Sequence, residues 1–240
     1  MKFTFITLFP NIIEGYFTDS ILKRAIGNGH IEIDYINPRD YTENKHSKVD
    51  KPMVGGGAGM LMMPQPLFDT VDAIKNSSSN AYVVVATPVG KPFKQNDAKR
   101  LAKKEHLVFV SGRYEGIDER FIEQRVDEVF SIGDFILTGG ELPSLVMCDA
   151  VARNVRGVLG NSDSLSIESF ELSSLEAPSF TKPNIYNQNS VPSEFLKGNH
   201  GKISDLKNAM ARAKTKFFRP DMHKNLQIDE KQEKVGKYEK

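Results

Sequence analysis

LVFVSGRYEGIDERFIEQRVDEVFSIGDFILTGGELPSLVMCDAVARNV, residues 107–155, decides how the rest of the chain is read. It starts with a short apolar run, Leu107–Ser111, of the kind that forms a buried strand. A glycine-containing turn follows, SGRYEGID at Ser111–Asp118, and then a helical pattern over Asp118–Arg125. The order then repeats: a strand at Glu128–Ile132, a second glycine-rich turn, IGDFILTGGELP at Ile132–Pro143, and a helix over Leu142–Val155. Strands separated by helix-length segments imply βαβ units, hence an α/β fold with a mostly parallel sheet.

The flanking sequence extends the pattern. AYVVVA at Ala81–Ala86 reads as another buried parallel strand, followed by a helix over Gln95–Lys104. Further upstream, Phe3–Phe9 and the alternating Ile31–Ile36 read as strands, and Asn11–Ile26 as a helix stopped by Gly27 and Gly29. Pro64 or Pro66 suits the first turn of a helix running to about Lys75. Residues 37–60 are polar and glycine-rich with no clear period, and loops of that length usually serve a function. Helix Leu142–Val155 is unusual because it is apolar nearly all round. Leu142, Leu145 and Val146 form one stripe and Met147, Val151 and Val155 another, so it needs cover on both sides, for which a second subunit is a candidate.

Residues 160–190 are rich in Ser, Asn and Pro and read as an interdomain linker. Beyond it, Ser204–Phe218 forms an amphipathic basic helix with Leu206, Met210, Ala213 and Phe217 near helical spacing, giving a small helical C-terminal domain. The formal net charge of the chain is only +1. Between Lys197 and Lys224, however, lie Lys202, Lys207, Arg212, Lys214, Lys216 and Arg219, against only Asp205 and Asp221. Such a local basic surface attracts phosphates even on a nearly neutral protein, although a solvated helix face has the same composition.

Composition excludes several classes. A single cysteine, Cys148, rules out an internal disulfide framework and fits a reducing, cytoplasmic setting. The five histidines show no metal-ligand spacing. No apolar run approaches the ~20 residues of a membrane helix. MKFTFITLFP superficially resembles a signal segment, but Thr4 and Thr7 interrupt it, Pro10 ends it and no small-residue cleavage site follows. There is no phosphate loop, no strand-borne G-x-G-x-x-G and no G-x-S-x-G elbow, which argues against nucleotide triphosphatases, dehydrogenases and α/β hydrolases. What remains is a set of glycine-rich segments, Gly55–Gly59, Ser111–Asp118 and Ile132–Pro143, with TPVG at Thr87–Gly90. Glycine admits close backbone approach, and α/β sheets bind ligands beyond the carboxyl ends of their strands. The two that leave strands, Ser111–Asp118 and Ile132–Pro143, with TPVG at a third strand end, therefore make a credible pocket for a small ligand, while Gly55–Gly59 lies in the long loop.

PRDY at 38–41, VDKPMVGGGAGMLM at 49–62, SGRYEGIDER at 111–120, SIGDFILTGGELP at 131–143 and RGVLG at 156–160 resemble the bacterial tRNA (guanine-N1)-methyltransferases of the SPOUT superfamily. The similarity continues through Asn199–His200 to Phe217–Pro220 and spans nearly the whole chain. The resemblance implies a SPOUT-type parallel sheet with a deep trefoil knot, which general topology rules would have rejected. It also implies a catalytic domain at 1–160, a linker at 161–190 and a tRNA-binding domain at 191–240. The implied activity is transfer of a methyl group from S-adenosyl-L-methionine to N1 of guanosine 37 in tRNA.

By similarity, Thr87, Pro88, Gly112, Tyr114, Glu115, Ile132, Gly133, Asp134, Phe135, Ile136, Leu137, Gly139, Gly140 and Pro143 would hold the donor. Arg153 would be the catalytic cation, although Asp149, four residues earlier, could instead pair with it. The family's general base is an Asp before Ser-Phe. Here the matching position is Glu168, one methylene longer, with Asp163 as the reserve candidate. Lys207, Arg212, Lys214, Lys216 and Arg219 would grip the anticodon arm, and His46 and Lys48 are further candidates to face RNA. A homodimer with shared active sites is implied, and neither membrane nor DNA is an expected partner. Some family members need magnesium (Mg2+), for which Glu115 is the nearby carboxylate. Two other readings stay open: a non-catalytic RNA-binding relative, suggested by the altered base, and a relative that methylates ribosomal RNA.

Overall fold

The computed structural model describes residues 1–160, 168–171 and 174–226. The chain divides into two compact units, Met1–Gly160 and Asn161–Lys240. In the first, strands β1 (Lys2–Ile6), β2 (Glu32–Ile36), β5 (Ala81–Pro92), β6 (His106–Val110) and β7 (Glu128–Ser131) form one sheet in the order β2-β1-β6-β5-β7. Every neighbouring pair in it is parallel.

Helices cover both faces of this sheet, as the continuous apolar strands require. Alternate residues divide between two cores. Phe3, Phe5, Val84, Leu107, Phe109 and Phe130 face one side, together with Ile13, Leu22, Leu101 and the buried residues Met147, Cys148, Val151 and Ala152. These come from α1 (Pro10–Glu14), α2 (Ser20–Gly27), α4 (Gln95–Leu101) and α6 (Glu141–Ala152). Ile6, Val83, Val85, Val108 and Val110 face the other side, under Leu67, Val71 and Ile74 of α3 (Pro64–Ser77) and Phe121 of α5 (Glu119–Arg125). Phe109 stands at the centre of the first core, with its ring 5.5 Å from that of Phe5 and 6.3 Å from that of Phe3.

Three details differ from the reading of the sequence. The single helix expected over 11–26 is broken: α1 ends at Glu14, a 3-10 turn spans Gly15–Phe17, and α2 begins after Asp19, whose side chain caps it by accepting from the Ser20 N–H. Ser20 has φ of +60°, which no continuous helix tolerates. The loop over 37–60 also has structure. A 3-10 turn at Pro38–Tyr41 precedes β3 (Asp50–Pro52), which pairs antiparallel with β4 (Met60–Met62) around a tip where Gly55, Gly56, Gly57 and Gly59 all have positive φ. Finally, β5 is longer than expected. Ala86 and Lys91 both pair with Phe130, so residues 87–90 bulge out of the β5–β7 ladder. Gly90 lies so close to β7 that a Cβ there would be 2.5–2.7 Å from the Phe130 backbone.

In the second unit, β8 (Ile185–Tyr186) and β9 (Asn189–Ser190) form a small hairpin, and α7 (His200–Phe218) is the long helix. Asn199 caps α7, its side chain accepting from the Lys202 N–H. Part of the segment read as a linker packs on this helix: the Leu175 N–H donates to the buried Thr215 hydroxyl at 3.0 Å, and that hydroxyl donates to the Ala211 carbonyl at 2.7 Å. Leu206 and Met210 lie on the half-buried face as expected. Ala213 and Phe217 do not: both are exposed, Phe217 at 79%, because the covered stripe passes through Ile203, Ala211 and Thr215 instead. Among the described residues, no helix is long and apolar enough to cross a membrane.

Truncating Phe109, which is fully buried where three aromatic rings meet, tests this core. Phe109→Ala is expected to lose about 3–5 kcal/mol of unfolding free energy in urea titration; a loss below about 1 kcal/mol would contradict the packing described.

Candidate active site

Because β6, β5 and β7 are adjacent and parallel, the turns that leave them emerge side by side at one edge of the sheet. Between them is a cavity of about 420 Å3, within the ~300–1,000 Å3 range typical of small-molecule sites. Thirteen of the fourteen residues marked in the sequence as donor ligands line it: Thr87 and Pro88 from the irregular stretch of β5; Gly112, Tyr114 and Glu115 from the turn after β6; and Ile132, Gly133, Phe135, Ile136, Leu137, Gly139, Gly140 and Pro143 from the segment after β7. Asp134 is the exception, exposed and outside the lining.

Glycine is required at the junctions. Gly140 donates its N–H to the Gly112 carbonyl at 2.8 Å, and a Cβ on Gly140 would lie 2.6 Å from the Gly112 nitrogen and 2.8 Å from the Ser111 α-carbon. The two turns thus touch backbone to backbone, which only glycine permits. Tyr114, half exposed at the cavity, has φ of +60°, a strained conformation that clusters at functional sites. The hairpin β3–β4 backs this turn, with the Glu115 N–H donating to the Met60 carbonyl and the Met62 N–H to the Gly116 carbonyl. Gly59 completes the contact, since a Cβ there would be 2.5 Å from the Glu115 carboxylate. The third glycine-rich segment, read from sequence only as part of a long loop, therefore supports the second.

A buried ionic cluster beneath the cavity was missed in the sequence. Glu141, the first residue of α6, is 1% exposed and accepts from the Thr7 hydroxyl at 2.9 Å and from Arg113 Nε at 3.0 Å. The signal was an acidic and a basic residue each placed directly after the glycines of its motif, in TGGE and SGR.

Arg153 is the C-cap of α6, and its N–H donates to the Asp149 carbonyl oxygen. The Asp149 carboxylate accepts from the Tyr16 hydroxyl at 2.7 Å; that bond, reinforced by burial, pushes the phenol up to about 12. Glu168 belongs to the second unit, where it lines a cavity of about 550 Å3 with Lys207 and Asn208 of α7. Asp163 lies outside the described residues. Lys207, Arg212, Lys214 and Lys216 are carried by α7, and Arg219, at its end, forks onto the Asp221 carboxylate at 3.0 and 2.7 Å. His46 and Lys48 sit in a turn organised by Asn44, whose side chain accepts from both their N–H groups. Among the described residues, no group of three or more His, Cys, Asp or Glu gathers as a metal site.

A parallel α/β domain with a ligand-sized cavity at three adjacent strand ends, followed by a unit with a basic helix, defines the class of protein. The sequence profile of the family described as tRNA (Guanine-1)-methyltransferase TrmD matches residues 1–225. A Sulfurovum protein named tRNA (guanine-N(1)-)-methyltransferase is 71% identical over 224 residues, covering 93% of this chain and 99% of that protein. Proteins of the same name from Sulfurimonas denitrificans and Campylobacter curvus are 68% and 62% identical, covering 92% and 98% of this chain and 96% and 100% of their own lengths. The chain belongs to this methyltransferase family.

The contact between the turns is testable through Gly140. Gly140→Ala is expected to destabilise the protein by roughly 1–3 kcal/mol through overpacking, read by chemical denaturation; unchanged stability would show that the turns are not in backbone contact.

Proposed function

We propose that this chain transfers a methyl group from S-adenosyl-L-methionine to N1 of guanosine 37 in tRNA, and that the cavity beyond β5, β6 and β7 holds the donor. The observation that carries this reading is the convergence of thirteen residues from three separate segments on one cavity, in a chain of the tRNA (guanine-N1)-methyltransferase family. The site suits the donor. Phe135, Ile136 and Leu137 offer apolar surface to an adenine ring, and the glycines leave backbone groups open to a folded chain.

When bound, the sulfonium donor supplies an activated methyl group that passes from sulfur to nitrogen. The residues of this chain have three tasks. The target guanine must be everted, because its N1 edge is hidden in stacking or pairing. A carboxylate must take the N1 proton, since protonated N1 is a poor nucleophile, and we assign this to Glu168. A cation must balance the charge that builds on O6 as the proton leaves, and we assign this to Arg153. The residues that would hold the donor and the guanine would align the methyl group with N1, and that alignment would supply much of the acceleration.

We further infer a homodimer with shared active sites. Phe9, Ile12 and Tyr16 beside α1, and Leu142 and Val146 on α6, are between 46% and 55% exposed, an apolar face that suits an isologous partner. The register shift at 87–90 against β7 is read as part of the deep trefoil knot. Residues 1–160 would form the catalytic domain, 161–190 a linker that completes the site on tRNA binding, and 191–240 the domain that grips the anticodon arm through Lys207, Arg212, Lys214, Lys216 and Arg219.

Purified protein incubated with labelled S-adenosylmethionine is expected to methylate a tRNA with guanosines at positions 36 and 37, and not the same tRNA with position 37 replaced. Tight tRNA binding without transfer would overturn the enzymatic reading, and transfer to ribosomal RNA alone would change the target. Glu168→Gln is expected to lower kcat by ~100-fold or more with donor affinity nearly unchanged; a crippled Asp163→Asn beside an active Glu168→Gln would move the base to Asp163. Arg153→Ala is expected to lower turnover more than tRNA affinity; the reverse would make it a binding residue.

A further inference from the structure

The Glu141 carboxylate has an energetic problem that its surroundings only partly solve. It is 1% exposed, and burying a charge is costly unless it is paired and fully hydrogen-bonded. Its Oε1 accepts from Thr7 Oγ1 and from Arg113 Nε. Arg113 Nε is also 2.9 Å from Oε2, but its single N–H points to Oε1, and Oε2 has no hydrogen-bond partner among the described residues. The position at the first turn of α6 helps, since a helix N-terminus favours negative charge. Replacing such a buried pair by apolar residues is often neutral or stabilising. Stability alone is therefore a weak account of this pair.

Its position offers a better one. Arg113 lies between Gly112 and Tyr114 in one wall of the cavity, and Glu141 directly follows Gly139 and Gly140 in the other. Arg113 also reaches the Thr138 carbonyl through Nη1 at 3.4 Å, and its guanidinium lies 4.5 Å over the Phe9 ring. Thr7 brings in the segment that leaves β1. The pair also dictates a neighbouring residue: a Cβ on Gly139 would lie 2.5 Å from Arg113 Nε and 2.7 Å from Glu141 Oε2. The ion pair thus spans the gap between the two walls and excludes any side chain from it.

We infer that Glu141, acting through Arg113, is a positioning residue for the donor cavity, holding the walls 112–117 and 132–140 at the separation that the donor requires. This rests on the reading of the cavity as the donor site. It assigns no contact with the donor to either residue. Loss of the pair lets the walls drift, so donor binding weakens while tRNA binding, which depends on other surfaces, does not.

The test uses the full-length protein, with S-adenosylmethionine binding measured by calorimetry, KM for donor and for tRNA by methyl transfer, and thermal melting. Glu141→Gln keeps the shape and the acceptor for Thr7 but loses the charge, and is expected to raise the donor Kd and donor KM at least fivefold with tRNA KM within twofold. Arg113→Lys, which keeps the charge without the fork, is expected to fall between wild type and Glu141→Gln. The double variant Arg113→Met with Glu141→Leu is expected to melt near the wild-type temperature yet bind donor at least tenfold more weakly, a separation that a merely structural role would not give. If the double variant does not fold, the two single variants decide. Wild-type donor affinity in every folded variant would overturn the inference and leave the donor cavity standing, whereas no donor binding by the wild type would overturn both.

Discussion

The backbone of Gly140 rests on that of Ser111 and Gly112, and the cavity exists because of this contact. Two turns that leave β6 and β7 are brought together without a side chain between them. Each of the surrounding features serves this approach. The parallel order β6-β5-β7 delivers the turns to the same edge of the sheet. The Phe109 core fixes the strands beneath them. Gly139 leaves space for the Arg113–Glu141 pair, and the β3–β4 hairpin braces the second turn from outside through Met60 and Met62. The glycines of GGELP and SGR are thus spatial requirements of one junction rather than independent flexible points.

Much of this was legible in the sequence for a physical reason. A strand buried on both faces has no polar alternation to disguise it, so AYVVVA and LVFV stand out, and parallel strands need helical crossovers, which fixes the α/β class. The glycine-rich turns were legible as well, because they directly follow those strands. The break between α1 and α2 was not, since Asp19 caps a helix in the middle of a run that keeps its apolar period. The β3–β4 hairpin was hidden because its strands are only three residues long and its tip, residues 53–59, is rich in glycine. The register shift at 87–90 against β7 depends on tertiary geometry that no local pattern encodes. Arg113 and Glu141 escaped notice because an exposed and a buried ion pair look alike in a sequence. On α7 the covered stripe is rotated by about one residue from the expected one, enough to leave Phe217 in solvent.

The two units offer different surfaces. The first offers a shaped, largely apolar cavity at strand ends; the second carries cations along α7 and a carboxylate, Glu168, beside a separate cavity. A methyl donor needs the first kind of surface and a polyanionic substrate the second.

The central claim, that the turns at 111–117 and 132–141 form one donor site, is tested most directly by hydrogen–deuterium exchange on the full-length protein with and without S-adenosylmethionine. The account predicts that backbone amides in these two segments and in 87–90 become protected together on adding the donor, with α7 unchanged. Protection confined to 174–211, or in only one of the two turns, would contradict it.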